Sequence, residues 1–260
     1  MTPVAYLIPV FIFGLCIGSF LNVCIYRLPL SKSILFPGSM CSACGNPVKF
    51  YDNIPVLSYI LLGGKCRSCG ISFSFRYPMV ETITGLMAVS LYLKYGFSLE
   101  TLVYFVFICC LLVITFIDID HQIIPDVISL PGIPVFFAAS FALPSASPMD
   151  TLIHSGLGIL TGGGSLLVVS FVYTLLTKKE GMGGGDIKLL AMMGALIGWK
   201  GILFTIFISS AVGSVIGIFL MLRMKKDMKL AIPFGPFLSI GAMTYVFFGE
   251  ALMRWYLNRL

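Results

Sequence analysis

Long apolar runs separated by short polar breaks make up most of this chain, and only one break is long. A helix needs roughly 17–25 predominantly apolar residues to cross the hydrocarbon of a bilayer. Runs of that character fall near residues 4–26, 78–95, 99–117, 127–143, 152–176, 186–199, 201–222 and 233–252. The pattern predicts an all-α polytopic membrane protein with about eight transmembrane helices. The sixth run is short and almost meets the seventh around Trp199 to Gly201, so seven or nine crossings also fit. The first run reads as a retained helix and not as a signal peptide, because no small-residue cleavage site follows it and further spans do. The long break, residues 28–77, is polar, rich in Pro, Gly and Ser, and holds four of the eight cysteines.

Composition agrees with this pattern. The chain is 58% hydrophobic and 11% charged, against about 25% charged in a soluble domain. Lys and Arg collect on one side when the loops are alternated, as topology requires. With the N-terminus outside, Arg27, Lys32, Lys49, Lys65, Arg67, Arg76, Lys178, Lys179, Lys188, Arg223, Lys225, Lys226 and Lys229 share one face. Only Lys94, Lys200, Arg254 and Arg259 fall on the other. Loops 28–77, 118–126, 177–186 and 223–232 are therefore expected to be cytoplasmic. The net charge of +6 is then a record of topology and no sign of nucleic acid binding. Three parts result: a first transmembrane helix over 1–27, a cytoplasmic module over 28–77, and a transmembrane domain over 78–260.

The module contains "CSACGNP" and "CRSCG", so Cys41, Cys44, Cys66 and Cys69 form two CxxC pairs, each followed by Gly. Four thiolates at that spacing suit a tetrahedral zinc site built from two knuckles. Two disulfides would be the alternative, and a reducing cytoplasm argues against them. With no His or Asp ligand and no open coordination position indicated, the zinc is expected to be structural. Cys16, Cys24, Cys109 and Cys110 lie in apolar runs and read as packing residues.

Acids are scarce, yet "FIDIDHQIIPD" places Asp118, Asp120 and Asp126 just beyond the third run, and "GMGGGDIKLL" places Asp186 at the entrance to the sixth. Asp118 follows "LLVITFI" directly and so stands at the membrane boundary; Asp120 and Asp126 look more like solvated loop acids. His121 reads as interfacial, and His154 lies far from the acids. Glycines before Asp186 permit close backbone approach, and Lys188 is placed to favour an ionised acid nearby. Two carboxylates at one membrane depth are the minimum equipment of an aspartyl protease, one protonating the peptide carbonyl while the other activates water. Intramembrane acids also mark ion paths in transporters, and a zinc-bearing assembly scaffold would need neither acid.

Taken together, "GSFLNVCIYRLP" at 18–29, the paired CxxC loop, "DIDHQIIPD" at 118–126, "GGGDIKLL" at 183–190 and "IPFGPFLSIG" at 232–241 resemble the bifunctional type IV prepilin peptidases, membrane aspartyl proteases of the GxGD class. The motifs stand in the family's order and cover nearly the whole chain. The resemblance implies catalytic acids at Asp118 and Asp186, with Gly183 and Gly185 as the motif glycines. It implies removal of the short basic leader from prepilins or pseudopilins at the cytoplasmic face of the bacterial inner membrane. N-methylation of the new N-terminus, with S-adenosylmethionine as donor, would follow; this step is carried by the resemblance alone. The partners implied are the prepilin substrates and membrane lipid. Helix polarity adds one expectation. Asp186 opens a helix and Asp118 closes one, so the dipoles place the shared proton on Asp118 and make Asp186 the base toward water.

Overall fold

A computed structural model of the chain describes residues 4–145, 147–178, 183–224 and 233–257. Lys179, Lys225, Lys226, Lys229 and Arg259 of the charge count, and Ile232 of the last motif, lie outside the described residues. The helices are α1 Leu7–Arg27, α2 Leu57–Leu61, α3 Arg76–Tyr95, α4 Leu99–His121, α5 Asp126–Ser140, α6 Pro148–Thr177, α7 Gly184–Met224 and α8 Gly235–Leu257. Among the described residues there is no strand, only two isolated bridges, Met40 with Pro47 and Lys65 with Ser72.

Every apolar run of the sequence lies largely within a helix. The sixth and seventh share α7, which is broken at Gly198, where φ is 68° and ψ is 179°. A residue with a Cβ is strained at that φ, so the glycine between Ile197 and Trp199 lets one apolar run turn into the next. Among the described residues, four helical stretches are long and apolar enough to cross a membrane: Val4–Arg27, Leu99–His121, Pro148–Thr177 and Gly184–Phe219. Asp126–Ser140 and Gly235–Gly249 are shorter apolar helices. The described residues are thus all-helical in their regular structure, with four helices of membrane-crossing character among them.

The chain forms two compact units, Met1–Val113 and Ile114–Leu260, with the division inside α4. In the first, α1 packs on α3 with small residues between the backbones. A Cβ on Gly14 would lie 2.7 Å from Gly85 Cα, and one on Gly18 would lie 2.6 Å from Glu81 Cα. Such close approach is how helices associate where lipid removes the hydrophobic drive. Polar contacts accompany it: Asn22 Nδ2 donates to Tyr77 O at 3.1 Å, and the buried Glu81 accepts the Val56 N–H at 2.7 Å.

In the second unit α7 is central, packed by α5, α6 and α8. Its first half, "LLAMMGALI", is apolar on all sides, as a helix enclosed by others must be, and Leu189, Leu190, Met192 and Met193 are fully buried. Gly158 of α6 and Gly194 of α7 bring their two backbones into direct contact. The N-terminus of α6 is capped by Ser147, whose Oγ accepts the Asp150 N–H at 3.1 Å, with Pro148 at the first helical position where no N–H is needed.

Candidate active site and candidate metal centre

Asp118 sits in the last turn of α4 and Asp186 in the first turn of α7. Both belong to the second unit. Asp118 is 5% exposed, the most deeply buried acid of its motif, while Asp120 is exposed. Its side chain is held from an unexpected direction: the backbone N–H of Gly235, first residue of α8, donates to Asp118 Oδ2 at 2.9 Å. Asp186 is partly exposed, and Asp118 is the charged group whose field reaches it. The turn leading to Asp186 closes on itself, the Asp186 N–H donating to Gly183 O at 3.2 Å.

The two motif glycines differ in what they permit. A Cβ on Gly185 would come within 2.9 Å of Ile124 Cβ, so this glycine lets the start of α7 lie against the segment that follows α4. Among the described residues, a Cβ on Gly183 would meet Asp186 Oδ2 alone, at an ordinary 3.8 Å. Lys188 has a partner of its own. Its Nζ lies 2.7 Å and 2.8 Å from the two carboxylate oxygens of Asp126, so its charge is committed to the acid that opens α5. His154 is exposed and stacks on Trp199 beside the break in α7, with ring centroids 6.4 Å apart.

Gly235 changes the dipole field at Asp118. Asp118 ends its own helix but also receives the N-terminal N–H of another, so the two helix ends at Asp118 oppose each other and the asymmetry behind the assignment of the proton to Asp118 is reduced. The sequence carried a signal for this donor in "PFGPF": Pro236 has no N–H, which singles out the N–H of Gly235.

The cysteines form the second constellation. The sulfurs of Cys41, Cys44, Cys66 and Cys69 all lie within 4.8 Å of one another, and none of the four is in a disulfide. Two matching turns present them. The Cys41 N–H donates to Asn46 O at 2.9 Å and the Cys66 N–H to Ile71 O at 2.8 Å, while Gly45 and Gly70 each return an N–H, at 2.9 Å, to the first cysteine of their pair. Gly45 and Gly70 have φ of 71° and 72°, which explains a glycine after each second cysteine. Backbone N–H groups of Cys44 and Ala43 pull the Cys41 thiol down to about 6, so this sulfur ionises readily. Cys41 Sγ and Cys69 Sγ are 3.8 Å apart, which is about the edge of a tetrahedron with Zn–S bonds of about 2.3 Å. The donor set and its spacing thus fit a metal ion with thiolate preference. Across the knuckles, Arg67 grips Asp52 through Nε and Nη2, the closest contact being 2.6 Å, and lies over the Tyr51 ring.

The first unit also holds an apolar pocket of about 470 Å³, lined by residues that include Phe13, Tyr92, Phe97 and Phe105. With no charged side chain in its wall, it does not fit a sulfonium nucleoside such as S-adenosylmethionine.

Comparison with known proteins covers nearly the whole chain. The model of the Bacterial Peptidase A24 N-terminal domain matches residues 12–95, and that of the Type IV leader peptidase family matches residues 105–218. A prepilin leader peptidase/N-methyltransferase of Pseudomonas aeruginosa is 35% identical over 98% of this chain and 95% of its own length. Proteins of the same name from Aeromonas salmonicida and Legionella pneumophila are 35% and 32% identical, over 99% and 95% of this chain and 96% and 93% of theirs. No solved structure matches the chain.

Proposed function

Because the chain belongs to the type IV leader peptidase family, we propose that Asp118 and Asp186 are the catalytic pair with which it cuts prepilin or pseudopilin leaders. The protein is a leader peptidase and N-methyltransferase. The observation that supports this pair is that their two helix ends meet: Gly185, next to Asp186, lies against Ile124 of the segment that follows Asp118, and Asp118 is buried. An aspartyl pair works with one acid ionised and the other protonated. The ionised acid takes a proton from water as its oxygen attacks the scissile carbonyl carbon, and the protonated acid gives its proton to the carbonyl oxygen. Collapse of the resulting diol breaks the C–N bond, and the departing amine takes up a proton.

The cytoplasmic face of the bacterial inner membrane is the proposed site of cutting. The distribution of Lys and Arg supports it, with residues 28–77 on the same side as both acids and about eight helical segments in the bilayer. The proposed division is a first helix over 1–27, the module over 28–77 and the peptidase domain over 78–260. Cys41, Cys44, Cys66 and Cys69 would hold a structural zinc, which when bound supplies folding free energy to the module. S-adenosylmethionine is the proposed methyl donor, with no residue of this chain assigned to it. The test is to incubate the purified protein with a prepilin and S-adenosylmethionine and weigh the product N-terminus. Loss of the leader and gain of a methyl group are expected, and each is read separately. An intact prepilin after incubation with well-folded protein overturns the proposal.

A further inference from the structure

We infer that Gly235 is a positioning residue for leader cleavage: its N–H holds Asp118 Oδ2, and its lack of a side chain makes the room that the carboxylate occupies. The inference rests on Asp118 being one half of the catalytic pair. It follows from counting the donors at the start of α8. A helix begins with N–H groups that have no partner within it. Here Phe237 and Leu238 both donate to Phe234 O, at 3.1 Å and 3.2 Å, and Pro236 has nothing to donate. The remaining N–H, that of Gly235, goes to Asp118 Oδ2 at 2.9 Å. Of the four residues Gly235 to Leu238 that begin α8, Gly235 is thus the one whose N–H reaches an acid at the end of a different helix.

Space gives an independent argument. A Cβ on Gly235 would lie 2.7 Å from Asp118 Oδ2, and its three nearest neighbours would all be atoms of Asp118. Its backbone φ is not among the positive glycine values, so conformation alone does not demand glycine here. An alanine would therefore press on the Asp118 carboxylate itself, which can swing aside while the helices stay packed. A hydrogen bond on Oδ2 also makes that oxygen the poorer place for a proton, leaving Oδ1 to exchange one during turnover. Gly235 does not touch the reacting atoms; it acts through Asp118.

The test uses the full-length protein with Gly235→Ala, and Gly164→Ala as a control, since a Cβ there would meet nothing within 4 Å. Two activities are measured: leader removal from a prepilin, and methyl transfer from S-adenosylmethionine to a prepilin already lacking its leader. A displacement of a reacting group by about 1 Å costs on the order of 100-fold in rate. Gly235→Ala should therefore lower kcat for cleavage about 100-fold, with KM and methyl transfer near those of the parent. Gly235→Ala on an Asp118→Asn background should add no further loss. Parental cleavage by Gly235→Ala overturns the inference while Asp118→Asn remains inactive. Loss of both activities together also overturns it, since the glycine would then serve the fold. Cleavage by Asp118→Asn itself would instead overturn the assignment of the pair.

Discussion

In the cysteine module each CxxC pair is presented by its own backbone turn, whereas the two acids of the other site come from the end of α4 and the start of α7. The knuckles carry their geometry locally: a backbone bond from each first cysteine, a left-handed glycine after each second one, and the same pattern twice. The acids have no such local template. Their approach depends on α7 threading between α5, α6 and α8, on Gly185 meeting Ile124, and on Gly235 meeting Asp118. A site built from turns should fail by losing its ligand, and a site built from packed helices should fail by small displacements. The two regions can therefore be broken separately.

The largest effect is expected at the acids. Asp118→Asn or Asp186→Asn keeps the shape but removes the exchangeable proton, and an acid-to-amide change in a catalytic triad costs about 10⁴-fold. Leader cleavage by either variant should fall about that far, while methyl transfer to a leaderless substrate continues. Asp120→Asn, at an exposed position, should cleave within a few-fold of the parent. Rates for all three, at matched protein recovered from membranes, decide the matter; near-normal cutting by either of the first two removes the pair from the mechanism.

Next is the metal. Cys41→Ser combined with Cys44→Ser removes two of four converging sulfurs. A closed thiolate site supplies on the order of 10 kcal/mol of gross binding free energy to a small module. Elemental analysis should find one zinc per parent chain and none in the variant, and protease should cut residues 28–77 of the variant far faster. A chelator should leave leader cleavage largely unaffected, because the acids act without the metal. A metal-free parent with the same protease resistance would dismiss the zinc.

Much of this difference was already visible in the sequence, and unevenly so. The knuckles were legible because their spacing, their glycines and their chemistry lie within a few residues of one another. Apolar runs identified the helices because a bilayer demands length and composition, which are properties of a single segment. What the runs left open were relations between distant segments. "GWKG" showed two runs nearly touching, but the φ of 68° that separates them inside α7 is a matter of the backbone at Gly198. Lys188 was placed near Asp186 by sequence distance, yet a helix turns the side chain at i+2 to another face, and it meets Asp126 instead. Gly235 stands inside "IPFGPFLSIG", and that motif by itself gives it no role. Its role appears only when the start of α8 lies against the end of α4.

Lys188 gives a smaller effect. The pair is partly solvated, with side-chain exposures of 35% for Lys188 and 57% for Asp126. Pairs of this kind contribute roughly 0–1 kcal/mol. Lys188→Ala should therefore lower stability by less than about 1 kcal/mol and leave cleavage within a few-fold of the parent. Asp126→Ala should do the same, and the double variant should be milder than the sum of the two. A hundred-fold loss from Lys188→Ala, with the protein still folded, would return this lysine to the chemistry of the pair.

The smallest effect separates the module's own electrostatics from its metal. Hydrogen bonding to the Arg67 guanidinium holds the Asp52 carboxyl below its ordinary range, with the charges of Arg67 and Lys49 adding to this. A carboxyl whose folded value is depressed adds stability above its unfolded value and loses it as pH falls through the folded one. The contribution of Asp52 is therefore present at neutral pH and disappears in acid. Acid would also protonate thiolates and release a bound metal, so parent protein alone cannot reveal it. Asp52→Asn provides the comparison: protease should cut its loop slightly faster than the parent's at neutral pH, and the two rates should converge as the medium is acidified below the carboxyl range. A gap of constant size from neutral to strongly acid conditions would mean that Asp52 supports the loop by shape and not by charge.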